Sequence, residues 1–138
     1  MDRATQRLLV SRARVGRLAT VTASGQAHVV PLCFALVGEV VYSAVDHKPK
    51  RSANLRRIDN IVATGSTSLV VDHFEEDWSA LWWVRLDGIG RLVEDEREAA
   101  VAMDALTAKY QQYQQRPPVG AIVAIDVANW TGWSASGH

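Results

Sequence analysis

The sequence contains one cysteine, four prolines and no long run of apolar residues. Because Cys33 is the only cysteine, no internal disulfide can form, and its apolar neighbours predict a small buried side chain rather than a reactive thiol. No segment reaches the roughly 20 apolar residues of a membrane-spanning helix. The N-terminal residues 1–5 also lack the apolar stretch of a signal peptide, so we expect a cytoplasmic protein without a membrane partner.

Neither sign of charge is in excess, since 15 Lys and Arg residues balance 15 Asp and Glu residues. Nucleic-acid and membrane-surface binders depend on an excess of cations, so neither kind of partner is expected. A length of 138 residues with 48% hydrophobic residues suits one domain over residues 1–138. The four histidines fit no zinc spacing, and the glycine motifs of a nucleophile elbow and of a dinucleotide loop are missing.

A cationic helix start is the most informative feature that the sequence does contain. The β-branched segment 40–45 leads directly into a predicted helix, residues 48–57, whose first turn is basic. The N-terminal turn of a helix is its positive pole, so each cation there costs roughly 0.3–1 kcal/mol. A bound anion reverses that cost, and phosphate is the common solution. The predicted anion-binding residues are Lys48, Lys50 and Arg51.

Other charged and aromatic residues leave two interpretations open. Arg56 and Arg57 fit a solvated helix face as well as they fit the anion site. Tryptophans at positions 82, 83, 130 and 133 are typical of a core or a subunit interface. Trp78 follows an acidic loop and could instead cover a planar ring.

The pattern of turns and β-rich segments predicts a mainly β fold. We expect around six antiparallel strands and three short helices, forming a small β-barrel decorated by helices, with an open sheet as the rival architecture. The predicted strands are 16–22, 27–36, 40–45, 61–63 continued by 68–72, 80–94 and 121–133. The other predicted helices are 3–13 and 95–113.

Several details of these elements follow from local rules. Asp2 can cap the first helix, with Ala4 and Leu8 facing inward, and Asp95 can cap the last one. Pro31 cannot donate to a strand ladder, so it belongs at a bulge or a sheet edge. Gly88 and Gly90 allow the bend that closes a barrel.

The order and spacing of several short segments resemble one protein family. These segments are GRLATV (16–21), HVVP (28–31), SAVDHKPKR (43–51), LRR (55–57), DWS (77–79), WWVR (82–85), KY (109–110) and WTGWSA (130–135). Together they resemble the deazaflavin-dependent branch of the pyridoxamine 5′-phosphate oxidase-like, FMN-binding split β-barrel superfamily. Within that branch they resemble in particular the small actinobacterial PPOX-class F420-dependent oxidoreductases.

This resemblance implies a homodimer that holds its cofactor in a groove between subunits. The cofactor phosphate would meet the basic helix start with Ser52 as a hydroxyl donor, and residues 28–31 would run beside the ring. Residues 44–45 would lie near the ribityl chain and residues 78–79 would form a wall. The candidate cofactor-binding residues are therefore His28, Val29, Val30, Pro31, Ala44, Val45, Lys48, Lys50, Arg51, Ser52, Arg57, Trp78 and Ser79.

The implied activity is hydride transfer between coenzyme F420 and a small organic acceptor, with no catalytic side chain and no metal assigned. One alternative is an FMN-dependent oxidase or reductase of the same fold, because FMN also carries a terminal phosphate. Another is a barrel that binds a flavin or tetrapyrrole without catalysis. Two departures from the family pattern are Ala63–Thr67, where an Asn-Pro turn is usual, and Gln26-Ala27, where Gly-Arg-Pro is frequent.

Overall fold

The computed structural model describes residues 1–45 and 53–137. Within these ranges it contains seven strands, four α-helices and one 3-10 turn at residues 78–80. The helices are α1 (Arg3–Arg12), α2 (Ala53–Thr64), α3 (Glu96–Lys109) and α4 (Gln111–Gln115). The strands are β1 (Gly16–Val21), β2 (Ala27–Leu32), β3 (Ala35–Val37), β4 (Val40–Ala44), β5 (Ser66–His73), β6 (Trp82–Leu92) and β7 (Ile122–Ser134). None of the described helices combines the length and the apolar character that crossing a bilayer requires.

All seven described strands belong to one antiparallel sheet in the order β2-β1-β5-β6-β7-β4-β3. Its two edge strands, β2 and β3, are consecutive in the chain and are separated only by Cys33 and Phe34. The sheet must therefore curl until its two edges meet at this link, which produces a half-barrel. A β-bulge between Asp87 and Gly88 lies in the long strand β6, where the sequence predicts a bend.

The mainly β, antiparallel prediction is confirmed, whereas the numbers of strands and helices are wrong. The predicted strand 27–36 is interrupted at Cys33 and Phe34, so it becomes β2 and β3. The predicted last helix divides at Tyr110 into α3 and α4. Pro31 lies on an edge strand, as its missing N–H requires.

The core consists of two clusters on opposite faces of the curled sheet. The inner cluster includes the fully buried Leu18, Phe34 and Leu86, with Val10 of α1 closing one side. The outer cluster lies where Ala102 and Leu106 of α3 pack against β3, β4 and β7. Strand β4 contributes to both clusters, and this explains why a short β-branched strand is buried on both faces.

Helix α2 continues through residues 61–63, where the sequence pattern predicts a strand, so that prediction is wrong. Short apolar runs do not distinguish a buried helix from a strand, and here Ile61 is buried while Val62 is exposed. Gly65 ends the helix with a φ of 69°, and its N–H donates to the carbonyl of Ile61 at 2.9 Å. The unusual segment 63–67 is therefore a glycine helix cap leading into β5.

Helix α1 begins as predicted but buries a different face. The carboxylate of Asp2 accepts a hydrogen bond from the Thr5 N–H at 2.8 Å and so caps the helix. Gln6 and Val10 are buried, whereas Ala4 and Leu8 are exposed. Gly132 of β7 leaves room for Gln6, because a Cβ there would lie 2.9 Å from the Gln6 amide nitrogen.

A charged network anchors the start of α3 to the sheet. Arg91 of β6 donates two hydrogen bonds of 2.7 Å to the carboxylate of Glu98 and bonds Asp126 of β7 at 2.7 Å. Tyr42 of β4 donates to the same Glu98 carboxylate at 2.7 Å. The hydrogen bonds from Arg91 and then Tyr42 lower the pKa of Glu98 to about 2.

We predict that Glu98→Gln lowers the free energy of unfolding at pH 7 by about 1 kcal/mol, the scale of a partly exposed ion pair. The folded pKa of about 2 for the Glu98 carboxyl lies below its ordinary value of 4.5, so this stability is present above pH 4.5 and lost as pH falls through 2. Urea unfolding between pH 2 and 7 measures the difference. Glu96→Gln, which changes an acid in the same helical turn, is the control, and an equal loss in both variants would contradict the prediction.

Candidate functional site

We call the seam the region between the outer edge of β2, at His28–Pro31, and the end of β4, at Ala44–Val45. The outer side of β2 has no strand neighbour among the described residues. The hydroxyl of Ser43 donates to the carbonyl of Cys33 at 2.8 Å and brings the end of β4 against the link that follows β2. The end of β4, which the resemblance assigns to the ribityl chain, thus lies beside the last residues of β2, which the resemblance assigns to the ring.

Strand alternation divides the four residues of β2 between two faces. His28 and Val30 point toward the interior, since they pair with the buried Thr20 and Leu18 of β1. Val29, at 61% exposure, and Pro31 point outward. On either face of this edge strand, a ligand can therefore contact the side chains of only two of these four residues.

The opposite side of the seam is buried and fixed by the backbone. Ala44 and Val45 are 7% and 8% exposed. The N–H of Val45 donates to the carbonyl of Ala121 at 2.8 Å, which ties the end of β4 to the residue before β7. The seam therefore has one open edge and one rigid wall.

A cavity of about 240 Å³ opens between the β1–β2 hairpin and helix α2. Asn60 of α2 is buried and its amide donates to the hydroxyl of Thr20 at 3.0 Å, so the helix is fixed to β1. The Nδ1 atom of His28 is buried and makes no hydrogen bond with the described residues. Buried polar atoms are normally satisfied, so this atom marks a place for water or a ligand. The cavity is lined by Thr22, Gln26, Ala27, His28, Arg56, Asp59 and Asn60.

The two arginines of α2 lie in different environments. Arg56 is exposed and lines this cavity. Arg57 is only 3% exposed, so the solvated-face interpretation is wrong for it. A buried guanidinium is expected to be held by partners, so Arg57 belongs to the packed interior.

The predicted phosphate contacts Lys48, Lys50, Arg51 and Ser52 lie outside the described residues, so they stay predictions. Helix α2 is described from Ala53.

Trp78 and Ser79 lie apart from the cavity in a single chain. They form the 3-10 turn between β5 and β6, where the Asp77 carboxylate accepts from the backbone N–H of Ser79 at 3.1 Å. A hydrogen bond from the Ser79 hydroxyl, and after it the one from the Ser79 N–H, lower the pKa of Asp77. The Trp78 side chain is 67% exposed, so within one chain it does not form a pocket wall.

A second depression, of about 580 Å³, is lined by Gln111, Gln112, Gln115 and Arg116. Its lining residues are all polar, which is unlike the mostly apolar sites that bind cofactor rings. Among the residues that the structure describes, no group of three or more His, Cys, Asp or Glu side chains could hold a metal ion.

The link between β2 and β3 contains a feature that the sequence analysis missed. Cys33 is exposed, not buried as predicted, because the chain leaves the strand pattern at this point.

The Nζ atom of Lys109 is buried 3.9 Å from the ring centroid of Phe34 and makes no hydrogen bond with the described residues. Burial, and secondarily the charge of Arg14, lower the pKa of Lys109 to about 8. The sequence match includes Lys109 and Tyr110 without a role for either.

Tyr110 connects this feature to the strand link. Its hydroxyl accepts from the N–H of Phe34 at 3.0 Å and lies 3.0 Å from the carbonyl of Arg14. Burial raises the pKa of Tyr110 to about 12, so the hydroxyl stays protonated and available as a donor. The turn between β2 and β3, and with it the seam, is therefore held by a side chain at the end of α3.

Comparisons with known proteins agree with this geometry. A family model described as pyridoxamine 5′-phosphate oxidase matches residues 2–134, whereas no curated protein gives a significant match. An FAD-binding protein from Mesorhizobium loti has a similar structure, with a TM-score of 0.73, 20% identity and coverage of 96% of this chain and 94% of that chain. An FAD-binding protein from Mycobacterium smegmatis has a TM-score of 0.70, 16% identity and 96% coverage of both chains.

A heme-binding protein from Mycobacterium smegmatis is also similar, with a TM-score of 0.71 and 19% identity. The alignment covers 96% of this chain but 57% of that longer chain. At these identities the three structures show a shared fold.

We predict that Lys109→Met removes a pH dependence of stability. The folded pKa of about 8 for Lys109 lies below its ordinary value of 10.5. The unfolded state therefore binds more protons between these two pH values, and wild-type stability rises with pH across that range. Lys109→Met should lack this rise in stability, because methionine does not titrate, while its side chain keeps a similar volume and the apolar contact with Phe34. Urea unfolding at pH 7 to 10.5 measures it, with Lys109→Arg as a variant that stays charged, and parallel curves for wild type and Lys109→Met would contradict the prediction.

Proposed function

Because the chain belongs to the pyridoxamine 5′-phosphate oxidase family, we propose that it binds a flavin-type cofactor at the seam and that this cofactor is coenzyme F420. The family includes oxidoreductases, and two of the similar structures are of FAD-binding proteins. The resemblance of the sequence segments to F420-dependent oxidoreductases supports the deazaflavin over FMN. When bound, the cofactor supplies hydride chemistry toward a small organic acceptor.

One observation carries the proposal: the open edge of β2 borders the cavity beneath α2 at His28 and lies beside the buried end of β4 at the link that follows β2. The hydrogen bond from Ser43 to Cys33 joins the end of β4 to that link. His28 belongs both to β2 and to the cavity lining. An unpaired strand edge offers backbone donors and acceptors, and the buried wall offers an apolar surface, which together suit a planar ring with polar edges.

The size of the cavity supports a homodimer as the binding unit. Cofactor sites usually enclose roughly 300–1,000 Å³, whereas the cavity in one chain has about 240 Å³. We therefore infer that a second copy of the chain completes the groove. Trp78 and Ser79 are exposed in one chain and suit a wall that the second copy covers.

The proposed division of work among the residues follows their positions in the chain. Residues 28–31 line the ring, and Ala44 and Val45 lie beside the ribityl chain. Lys48, Lys50, Arg51 and Ser52 bind the phosphate, which the positive end of α2 also attracts. Arg57, buried in α2, supports the same end of the site. No side chain is assigned as a proton donor.

Equilibrium titration of the purified protein with F420, FMN and hemin tests this proposal. Preferential binding of F420 supports it, and reduced F420 should then be oxidised in the presence of an acceptor. Preferential binding of FMN would replace F420 by the flavin alternative. Binding of hemin alone, with a shifted Soret band, would instead favour a tetrapyrrole-binding barrel.

We predict that Arg51→Ala weakens F420 binding by about 1–3 kcal/mol, the scale of a lost charged hydrogen bond, with thermal stability little changed. Arg12→Ala, which removes an exposed arginine at the end of α1, is the matched control. Isothermal titration measures both affinities. An unchanged Kd in Arg51→Ala would remove this residue from the site.

A further inference from the structure

Gly120 lies where the fold leaves no space for a side chain. A Cβ atom at this position would be 2.3 Å from the carbonyl oxygen of Val45, far inside the 3.4 Å at which ordinary contact begins. Gly120 is not one of the described glycines with a positive φ, so space rather than backbone conformation requires the glycine. The neighbouring residue Ala121 accepts the hydrogen bond from the Val45 N–H at 2.8 Å.

Val45, which Gly120 contacts, is part of the proposed cofactor site. Val45 is the last described residue before the predicted phosphate-binding segment, and it belongs to the buried wall of the seam. Close packing at Gly120 and the hydrogen bond at Ala121 hold both the carbonyl and the N–H of Val45. Pro118, two residues before Gly120, is also buried. The backbone of Val45 is therefore held in place by Gly120 and Ala121.

We propose that Gly120 is a positioning residue for the cofactor, acting through the backbone of Val45. The inference rests on the proposed function, because it is that function which makes the end of β4 part of a binding site. With an alanine at position 120, the carbonyl of Val45 must move by about 1 Å to restore ordinary contact. Displacements of this size in a preorganised site cost up to about 100-fold in efficiency.

The chain contains a matched control for the steric effect alone. A Cβ on Gly88 would also lie 2.3 Å from a backbone carbonyl, that of Asp126. Gly88 is at the bulge of β6, and Asp126 pairs with Val40 at the opposite end of β4 from Ala44. Both alanine variants thus introduce the same overlap, but only one introduces it beside the seam.

We expect Gly120→Ala to bind F420 or FMN, whichever the wild type binds more tightly, at least 10-fold more weakly than wild type. Gly88→Ala should bind within about 2-fold of wild type when both are measured below their Tm. Hydrogen exchange of the Val45 amide should be at least 10-fold faster in Gly120→Ala alone. Equal affinities of Gly120→Ala and wild type, or equal losses in both variants, would overturn the inference.

A milder pair of variants covers the case in which an alanine variant does not fold. Ala121→Gly introduces no overlap but loosens the residue that holds the Val45 N–H. Ala128→Gly is the control at another exposed alanine of the same region. We expect an affinity loss of about 3-fold in Ala121→Gly and none in Ala128→Gly, and equal affinities in the two would overturn the inference.

Different results would contradict the proposed function and the role of Gly120. Wild-type protein that binds neither F420 nor FMN would overturn the proposed function and this inference with it. Wild-type protein that binds one of them, together with Gly120→Ala that binds it equally well, would overturn the role of Gly120 alone.

Discussion

Cys33 and Phe34 join two strands that lie at opposite edges of the sheet, and the rest of the architecture follows from this short link. Two residues cannot span a flat seven-stranded sheet, so the sheet must curl until β2 and β3 meet. The Tyr110 hydroxyl holds the link by accepting from Phe34, and Ser43 holds it by donating to Cys33. The outer edge of β2 has no strand neighbour among the described residues, and it forms the open side of the seam.

The strands and helix caps that depend on local chemistry could be predicted from the sequence. The Asp2 and Asp95 caps, the bend in β6 and the edge position of Pro31 follow from side-chain and backbone rules. Errors arose where tertiary packing decides between local alternatives. Residues 61–63 have β-branched character, yet the burial of Ile61 against β6 keeps them helical.

In the candidate site too, the sequence predicts the segments that local patterns reveal but not the contacts that tertiary packing creates. The sequence identified β2 and the end of β4 as site segments but not that a side-chain hydrogen bond from Ser43 brings them together. The sequence did not distinguish a solvated helix face from the anion site for Arg57, and only the packing shows that this residue is buried. Lys109 near Phe34 and Gly120 near Val45 lie far apart in sequence from their contacts, so no local pattern reveals them.

The central claim is that a flavin-type cofactor binds along the open edge of β2 opposite the end of β4. Hydrogen–deuterium exchange of backbone amides with and without saturating F420 or FMN tests it directly. The account predicts slower exchange at residues 28–30 and 44–45 when the cofactor is bound, with residues 111–115 of α4 unchanged. Protection confined to α4, or unchanged exchange at the seam despite saturation, would contradict it.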